Sequence, residues 1–194
     1  MMRNDKKLEK IANSFVLLIE FKEDEKLNNG INRILPEIKG IEEIETAMNN
    51  TDARFYIRES EFYDTVTVDL DMEPVKAIKQ LRKTPTVAIE KAVPLDSVVS
   101  SPLESVIKAI LKVASMKIAK DESFTVRCQF KGDRLKSIEN INSPDKLINH
   151  ISNELCDELG LEYRDKNTDW IIQIEELGED TGIAVCRPDE ILMK

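Results

Sequence analysis

Thr65-Val66-Thr67-Val68-Asp69-Leu70, followed by Glu73-Pro74-Val75-Lys76-Ala77-Ile78-Lys79-Gln80-Leu81-Arg82, changes its hydrophobic period part-way. The first six residues alternate with period two, the mark of a half-buried strand. From Glu73-Pro74 onward Val75, Ile78 and Leu81 recur at helical spacing, which predicts a helix through Arg82. Downstream, Thr86 to Val93 returns as a strand ending at Pro94. Upstream, Arg54 to Ile57 and Ile41 to Ala47 read as weaker strands around the polar turn Asn49-Asn50-Thr51-Asp52. A helix is expected from Lys26 to Ile38, with Ile31, Ile34, Leu35 and Ile38 on one face and Pro36 and Gly40 as stop signals. Phe15 to Phe21 reads as a short buried strand. The resulting order, strand-helix-strand-strand-helix-strand, is the split βαβ plan of a ferredoxin-like domain, assigned to residues 1–95.

A second α/β unit is expected over residues 96–194, after a linker at Leu95 to Ser100. Ser101-Pro102-Leu103-Glu104 carries the chemistry of a helix start: a Ser cap, a Pro at the first helical position and a Glu for a capping box. Leu103, Val106, Ile107, Ile110, Leu111 and Ala114 then form one apolar face, with Lys108 and Lys112 off it. Ser123 to Phe130 alternates as a strand, with Phe124, Val126 and Cys128 on one face and Thr125, Arg127 and Gln129 on the other. Lys131 to Ser137 is a polar loop. Ser143-Pro144 opens a helix that Gly160 ends, with Leu147, Ile148, Ile151, Leu155 and Leu159 inward. Trp170 to Ile174 and Gly182 to Cys186 close the unit as strands. The fold class is α/β (α+β).

The 194 residues suit one domain or two small ones, and 41% hydrophobic residues are enough for a core. Aromatics are scarce at 5%, so Ile, Leu and Val must fill that core. The polar N-terminus and the short apolar run at Phe15 carry no signal peptide or membrane segment, which leads us to expect a cytoplasmic protein with no membrane partner. Three widely spaced cysteines, Cys128, Cys156 and Cys186, suit neither a disulfide framework nor a zinc knuckle and read as small buried hydrophobes. The single histidine, His150, lies on a helix and reads as a surface or partly packed residue. Phosphate-loop, dinucleotide, nucleophile-elbow and zincin motifs are missing, and adjacent acids such as Glu42-Glu43 and Glu175-Glu176 would point to opposite faces of a strand. No catalytic residue, metal site or cofactor is assigned.

The formal net charge of −9 argues against nucleic acid when taken alone. Its distribution argues otherwise. Lys76, Lys79, Arg82, Lys83 and Lys91 crowd a stretch with one acid, Glu90. Lys117, Lys120, Arg127, Lys131, Arg134 and Lys136 crowd a second stretch with three, Asp121, Glu122 and Asp133. Elsewhere the chain is strongly acidic. Lys76, Lys79 and Lys83 share a helical face, while Arg127, Lys131, Arg134 and Lys136 lie on a strand and its loop, where they are expected to meet phosphates. The helix starting at Ser143 offers free N–H groups and the positive end of its dipole, although Pro144 removes one donor. An ordinary solvated loop and ordinary capping are the competing explanations of those two features.

Glu122-Ser123-Phe124-Thr125-Val126-Arg127, then Phe130-Lys131-Gly132, Ser143 with Leu147 and Ile148, and Asn167-Thr168-Asp169-Trp170-Ile171-Ile172-Gln173-Ile174-Glu175 together resemble the THUMP domain of tRNA-modifying proteins. The tail Gly182-Ile183-Ala184-Val185-Cys186-Arg187-Pro188-Asp189-Glu190-Ile191-Leu192 and the segment Ala92-Val93-Pro94-Leu95-Asp96 resemble one branch of that family, the stand-alone accessory proteins for tRNA cytidine acetylation. The resemblance covers residues 85 to 192; the first 80 match only as the expected ferredoxin-like partner. It implies a chain that grips the acceptor region and 3′ end of tRNA and presents it to a separate tRNA-modifying enzyme, an RNA cytidine acetyltransferase. Family members attach a catalytic domain to this unit; the chain's end at Lys194 leads us to expect an accessory protein rather than an enzyme. Gln129, Phe130 and Asp133 interrupt the denser basic run of many members. The rival expectation is an acidic protein-interaction module without direct RNA contact.

Overall fold

Two five-stranded sheets organise the described residues, and each buries one face under helices. In the computed structural model, residues 15–22, 34–131 and 143–194 are described. The first unit contains β1 (Phe15–Phe21), α1 (Ile34–Asn49), β2 (Phe55–Glu59), β3 (Thr65–Leu70), α2 (Pro74–Lys83) and β4 (Ile89–Leu95). Its antiparallel sheet runs β4-β1-β3-β2, the ferredoxin-like order, with a short C-terminal strand β10 (Leu192–Met193) added beside β4. The second unit contains β5 (Ser97–Ser100), α3 (Leu103–Lys117), β6 (Ser123–Phe130), α4 (Pro144–Leu159), β7 (Glu162–Tyr163), β8 (Trp170–Leu177) and β9 (Asp180–Cys186). Its sheet is mixed, in the order β5-β9-β8-β6-β7, with β6 parallel to both β7 and β8.

Side-chain alternation assigns the faces. Leu17, Ile19 and Phe21 of β1 pack with Val66, Val68 and Leu70 against Ile44, Met48, Ala77, Ile78 and Leu81 of the helices. In the second unit Phe124, Val126, Ile172, Ile174, Ile183 and Val185 pack under Val106, Ile110, Leu147, Ile151 and Leu155. The opposite faces of the two sheets then meet: Leu18, Val93 and Leu95 of the first touch Ile171, Ala184 and Cys186 of the second, with Ile191 of the tail between them. The order of layers is helix, sheet, sheet, helix.

The expected strands Phe15–Phe21, Thr65–Leu70 and Ser123–Phe130, and the helix Pro144–Leu159, stand where the sequence puts them. Four expectations are corrected. The expected helix from Lys26 lies partly outside the described residues, but Pro36 and Gly40 do not stop it; α1 runs on to Asn49, so the expected strand at Ile41–Ala47 is helical. Pro36 sits in the first turn of α1, where a backbone N–H has no partner within the helix. Gly40 sits at a close approach to β1, where an added Cβ would lie 2.1 Å from the Phe21 ring. Helix contact, not chain reversal, explains that glycine. The expected linker at Leu95–Ser100 is largely strand β5, paired with β9. Pro102, not Ser101, is the cap position of α3, and the buried Ser101 hydroxyl instead bridges the Gly178 carbonyl and Thr181 Oγ1. On α2, Pro74 and Ala77 are buried and Val75 is half-exposed.

Candidate nucleic-acid interface

Helix α2 presents the clearest basic surface. Pro74 starts it, and Arg82 and Lys83 lie in its last turn, where cations complement the negative end of the dipole. The Thr84 backbone N–H and hydroxyl both donate to the Gln80 carbonyl, and Pro85 follows. With Pro74, Ala77, Ile78 and Leu81 buried, Lys76, Lys79 and Lys83 project to solvent. Lys76 lies 3.1 Å from Glu73, an exposed pair. Lys79 and Lys83 have no ion-pair partner among the described residues. Arg82 turns the other way: its Nη2 donates to the backbone carbonyls of Asp189 and Ile191, so it clamps the tail that becomes β10.

The second basic stretch is divided by the fold. Arg127 is exposed on the face of β6 that looks toward the first sheet, and no ion pair engages it among the described residues. Lys131, expected to meet phosphate, is instead spent inside the protein. Its ammonium donates to Asp64 Oδ2 and Thr65 Oγ1, each at 2.6 Å, and lies 3.5 Å from Glu20. Its side chain retains only 10% exposure, so its charge is neutralised before RNA could reach it. Lys117 is likewise engaged, by Asp96 and the Val185 carbonyl. Ser143 accepts from the Lys146 N–H as the cap of α4, which gives its hydroxyl a structural partner. Arg134 and Lys136 lie outside the described residues. The two basic stretches therefore do not merge: α2 covers the outer face of the first sheet, whereas Arg127 lies on the other side of that sheet.

Lys91 carries the largest departure from its sequence reading. It belongs to the first basic stretch, yet it is buried between the sheets. Its ammonium donates to Glu175 and, at 2.6 Å, to Gln129 Oε1, and lies 3.6 Å from Glu20. Gln129 Nε2 in turn donates to Glu20 at 3.2 Å. Burial pushes the Glu175 carboxyl up to about 7, against the pull of Lys91. Burial and Glu175 push the Cys128 thiol up to about 12, and burial does the same to Cys186, which keeps both thiols protonated near neutral pH. No group of three or more His, Cys, Asp or Glu residues among the described residues is arranged to hold a metal ion.

The residues that carry the THUMP resemblance have structural duties here. Asn167 adopts φ 55°, a left-handed conformation that Asn tolerates better than most residues. Asp169 accepts from the Ser123 backbone N–H and hydroxyl, both at 2.8 Å, tying the starts of β6 and β8 together; those donors hold its carboxyl below the usual range. Glu175 ends the stretch in the Lys91 cluster. In the tail, Gly182 passes Leu95 so closely that a Cβ would approach it to 2.8 Å, and Arg187 lies 3.9 Å over the Trp170 ring.

No protein-family profile and no curated protein matches the sequence. Solved structures do match the fold. PH1313 from Pyrococcus horikoshii superposes with a TM-score of 0.68 over 92% of this chain, at 17% identity. The fold is a ferredoxin-like domain followed by a THUMP-like domain. A 4-thiouridine synthetase, solved as an RNA complex with bound ATP, superposes at 0.59 over 90% of the chain with 18% identity. TrmN from Thermus thermophilus follows at 0.51 over 92%, with 14% identity. The THUMP-like chain spans 55%, 41% and 46% of the lengths of these three proteins. None of its described helices is long and apolar enough to cross a membrane.

Proposed function

We propose that this protein binds tRNA at its acceptor region and 3′ end and presents it to a separate modifying enzyme, an RNA cytidine acetyltransferase. The observation that carries the RNA-binding part is the likeness of 90% of the chain to a protein solved with RNA bound. The presenting role rests on the resemblance of residues 167–175 and 182–192 to the accessory branch. RNA contact falls to Lys76, Lys79 and Lys83 on α2 and to Arg127 on β6, with the α4 start at Ser143 and the basic residues Arg134 and Lys136 completing the second unit. Lys131 is reassigned to holding the end of β6 against β3.

Cations on exposed surfaces attract phosphates with a steep salt dependence, because binding releases counterions. Gel shifts with unfractionated tRNA at low and high salt test the reading. Binding should weaken steeply with salt. Lys79→Glu with Lys83→Glu should weaken it, and Arg127→Glu should weaken it separately, since the two lie on different faces. Wild-type affinity in both variants would sink the residue assignment. The enzyme partner is tested by co-purification with an RNA cytidine acetyltransferase and by whether acetylation then requires this chain.

A further inference from the structure

Each sheet ends in two open edges, and one of these is unlike the rest. The edge strands are β10 and β2 in the first sheet and β5 and β7 in the second. β10 and β7 have 2 residues each and β5 has 4, whereas β2 has 5. Natural edges are blunted by shortness, proline, charge or bulges, because an open row of N–H and C=O groups templates further strands. β2 carries no proline, no lysine and no register shift against β3, and Asp69 of β3 draws its one arginine, Arg58, inward. The hydrogen bonds fix which of its backbone groups are free. The Asp71 N–H donates to the Arg54 carbonyl, and bonded positions alternate along an antiparallel pair. Arg54, Tyr56 and Arg58 therefore turn their backbone groups toward β3, and Phe55, Ile57 and Glu59 turn theirs outward. Those outward groups have no partner among the described residues.

The open edge is complementary to itself. An antiparallel copy paired about Ile57 sets Ile57 opposite Ile57 of the second copy, Phe55 opposite Glu59, and Tyr56 opposite Arg58. The outward N–H and C=O groups of Phe55, Ile57 and Glu59 then meet one another in bonded pairs. Tyr56 and Arg58 fall in the non-bonded position, where side chains approach most closely. Asp69 holds Arg58 Nε at 2.7 Å, so an oriented planar cation meets the Tyr56 ring on each side of the axis. Before pairing, that ring is 44% exposed. On the other face Phe55 and Ile57 pack against the first unit's core, and Ile57 opposite Ile57 carries that apolar layer across the axis. Moving the axis by one residue in either direction loses these pairs. It sets Arg54 opposite Arg58, or Arg58 opposite its own copy, and like charges directly opposite are destabilising.

We propose that two copies of this chain associate through β2, joining their first-unit sheets into one antiparallel sheet about a two-fold axis at Ile57. The axis stands normal to the sheet, so helices stay with helices, and both copies present Lys76, Lys79 and Lys83 on the same side. Self-association stands independently of RNA binding. The test measures mass against concentration for the intact protein by sedimentation or light scattering, for wild type and Glu59→Pro, and thiol crosslinking of Ile57→Cys. Wild type should pass from monomer to dimer as concentration rises. Glu59→Pro removes an outward N–H that the monomer does not use and replaces an exposed side chain. It should remain monomeric, and it should keep the wild-type unfolding midpoint at dilutions where both are monomers. Ile57→Cys should crosslink copy to copy under a mild thiol oxidant, because bonded pairs hold their Cα atoms about 5.5 Å apart, within disulfide reach. Tyr56→Cys, which faces Arg58, should crosslink several-fold less. A wild type that stays monomeric up to its solubility limit overturns self-association and leaves β2 open to a strand of another protein. A dimer that survives Glu59→Pro and gives no Ile57→Cys crosslink also overturns the proposal, since it must use another surface.

Discussion

At the residue scale, Gly40 and Glu175 show how single side chains are dictated by contacts distant in sequence. Glycine inside a helix costs about 1 kcal/mol relative to alanine, so propensity alone recommends replacing Gly40. The Phe21 ring lies where the new methyl would go, and it is itself only 2% exposed. Gly40→Ala should therefore destabilise the fold by about 1–3 kcal/mol, the usual range for overpacking, measured by chemical unfolding. A gain in stability would mean that α1 can move off β1. Glu175 makes a pH prediction. Its carboxyl titrates at about 7 in the fold and near 4.5 when exposed, so folding favours the protonated form. Its contribution is fully present below pH 4.5 and is lost as the pH rises through about 7. Glu175→Gln should flatten the fall in stability across that window, by an amount on the order of 3 kcal/mol at most. An unaltered slope would assign the pH dependence to other groups.

At the element scale, α2 separates binding from folding along its two faces. Ala77, Ile78 and Leu81 anchor it, whereas Lys79 and Lys83 are exposed and form no ion pair among the described residues. Charge reversal at those lysines should change unfolding free energy by less than about 0.5 kcal/mol while reducing tRNA affinity. A large loss of stability would show that the lysines serve the fold. Leu81→Ala should do the opposite, costing about 2–5 kcal/mol through the cavity it leaves. Strand β6 mixes the two duties residue by residue. Arg127 faces open solvent, and Lys131, four positions on, closes an ion cluster. Lys131→Met should thus lower stability, because it leaves Glu20 and Asp64 without that cation.

At the scale of the whole molecule, two devices join the units in addition to the apolar layer between the sheets and the Lys131 contacts. One is the buried Lys91 with Glu20 and Glu175, a contact between β1, β4 and β8. Removing one member of a buried ion cluster leaves the others uncompensated and typically costs about 3–5 kcal/mol. Lys91→Met should fall in that range, and adding Glu175→Gln should recover part of the loss; double-mutant unfolding measurements check this. The other is the tail, in which Ile191 fills the inter-sheet layer, Leu192 enters the core of the first unit, and Arg82 grips the backbone on either side of Glu190. Arg82→Ala should speed amide exchange at Leu192 and Met193 with little change in the central strands.

Local pattern determined much of this protein. The strands at Thr65 and Ser123, the helix capped by Ser143 and ended by Gly160, and the lysine face of α2 all follow from side-chain period and cap chemistry, which act within a few residues. What only the tertiary structure decided were quantities set by distant partners. Gly40 looks like a stop signal until Phe21 is known to lie against it. Lys131 looks like a phosphate ligand, and Lys91 like one more member of a basic stretch, until Glu20, Asp64 and Glu175 are brought to them from other strands. Charge counts read along a chain cannot distinguish a cation neutralised across a sheet interface from one left in solvent, because that difference is made by pairing across tens of residues.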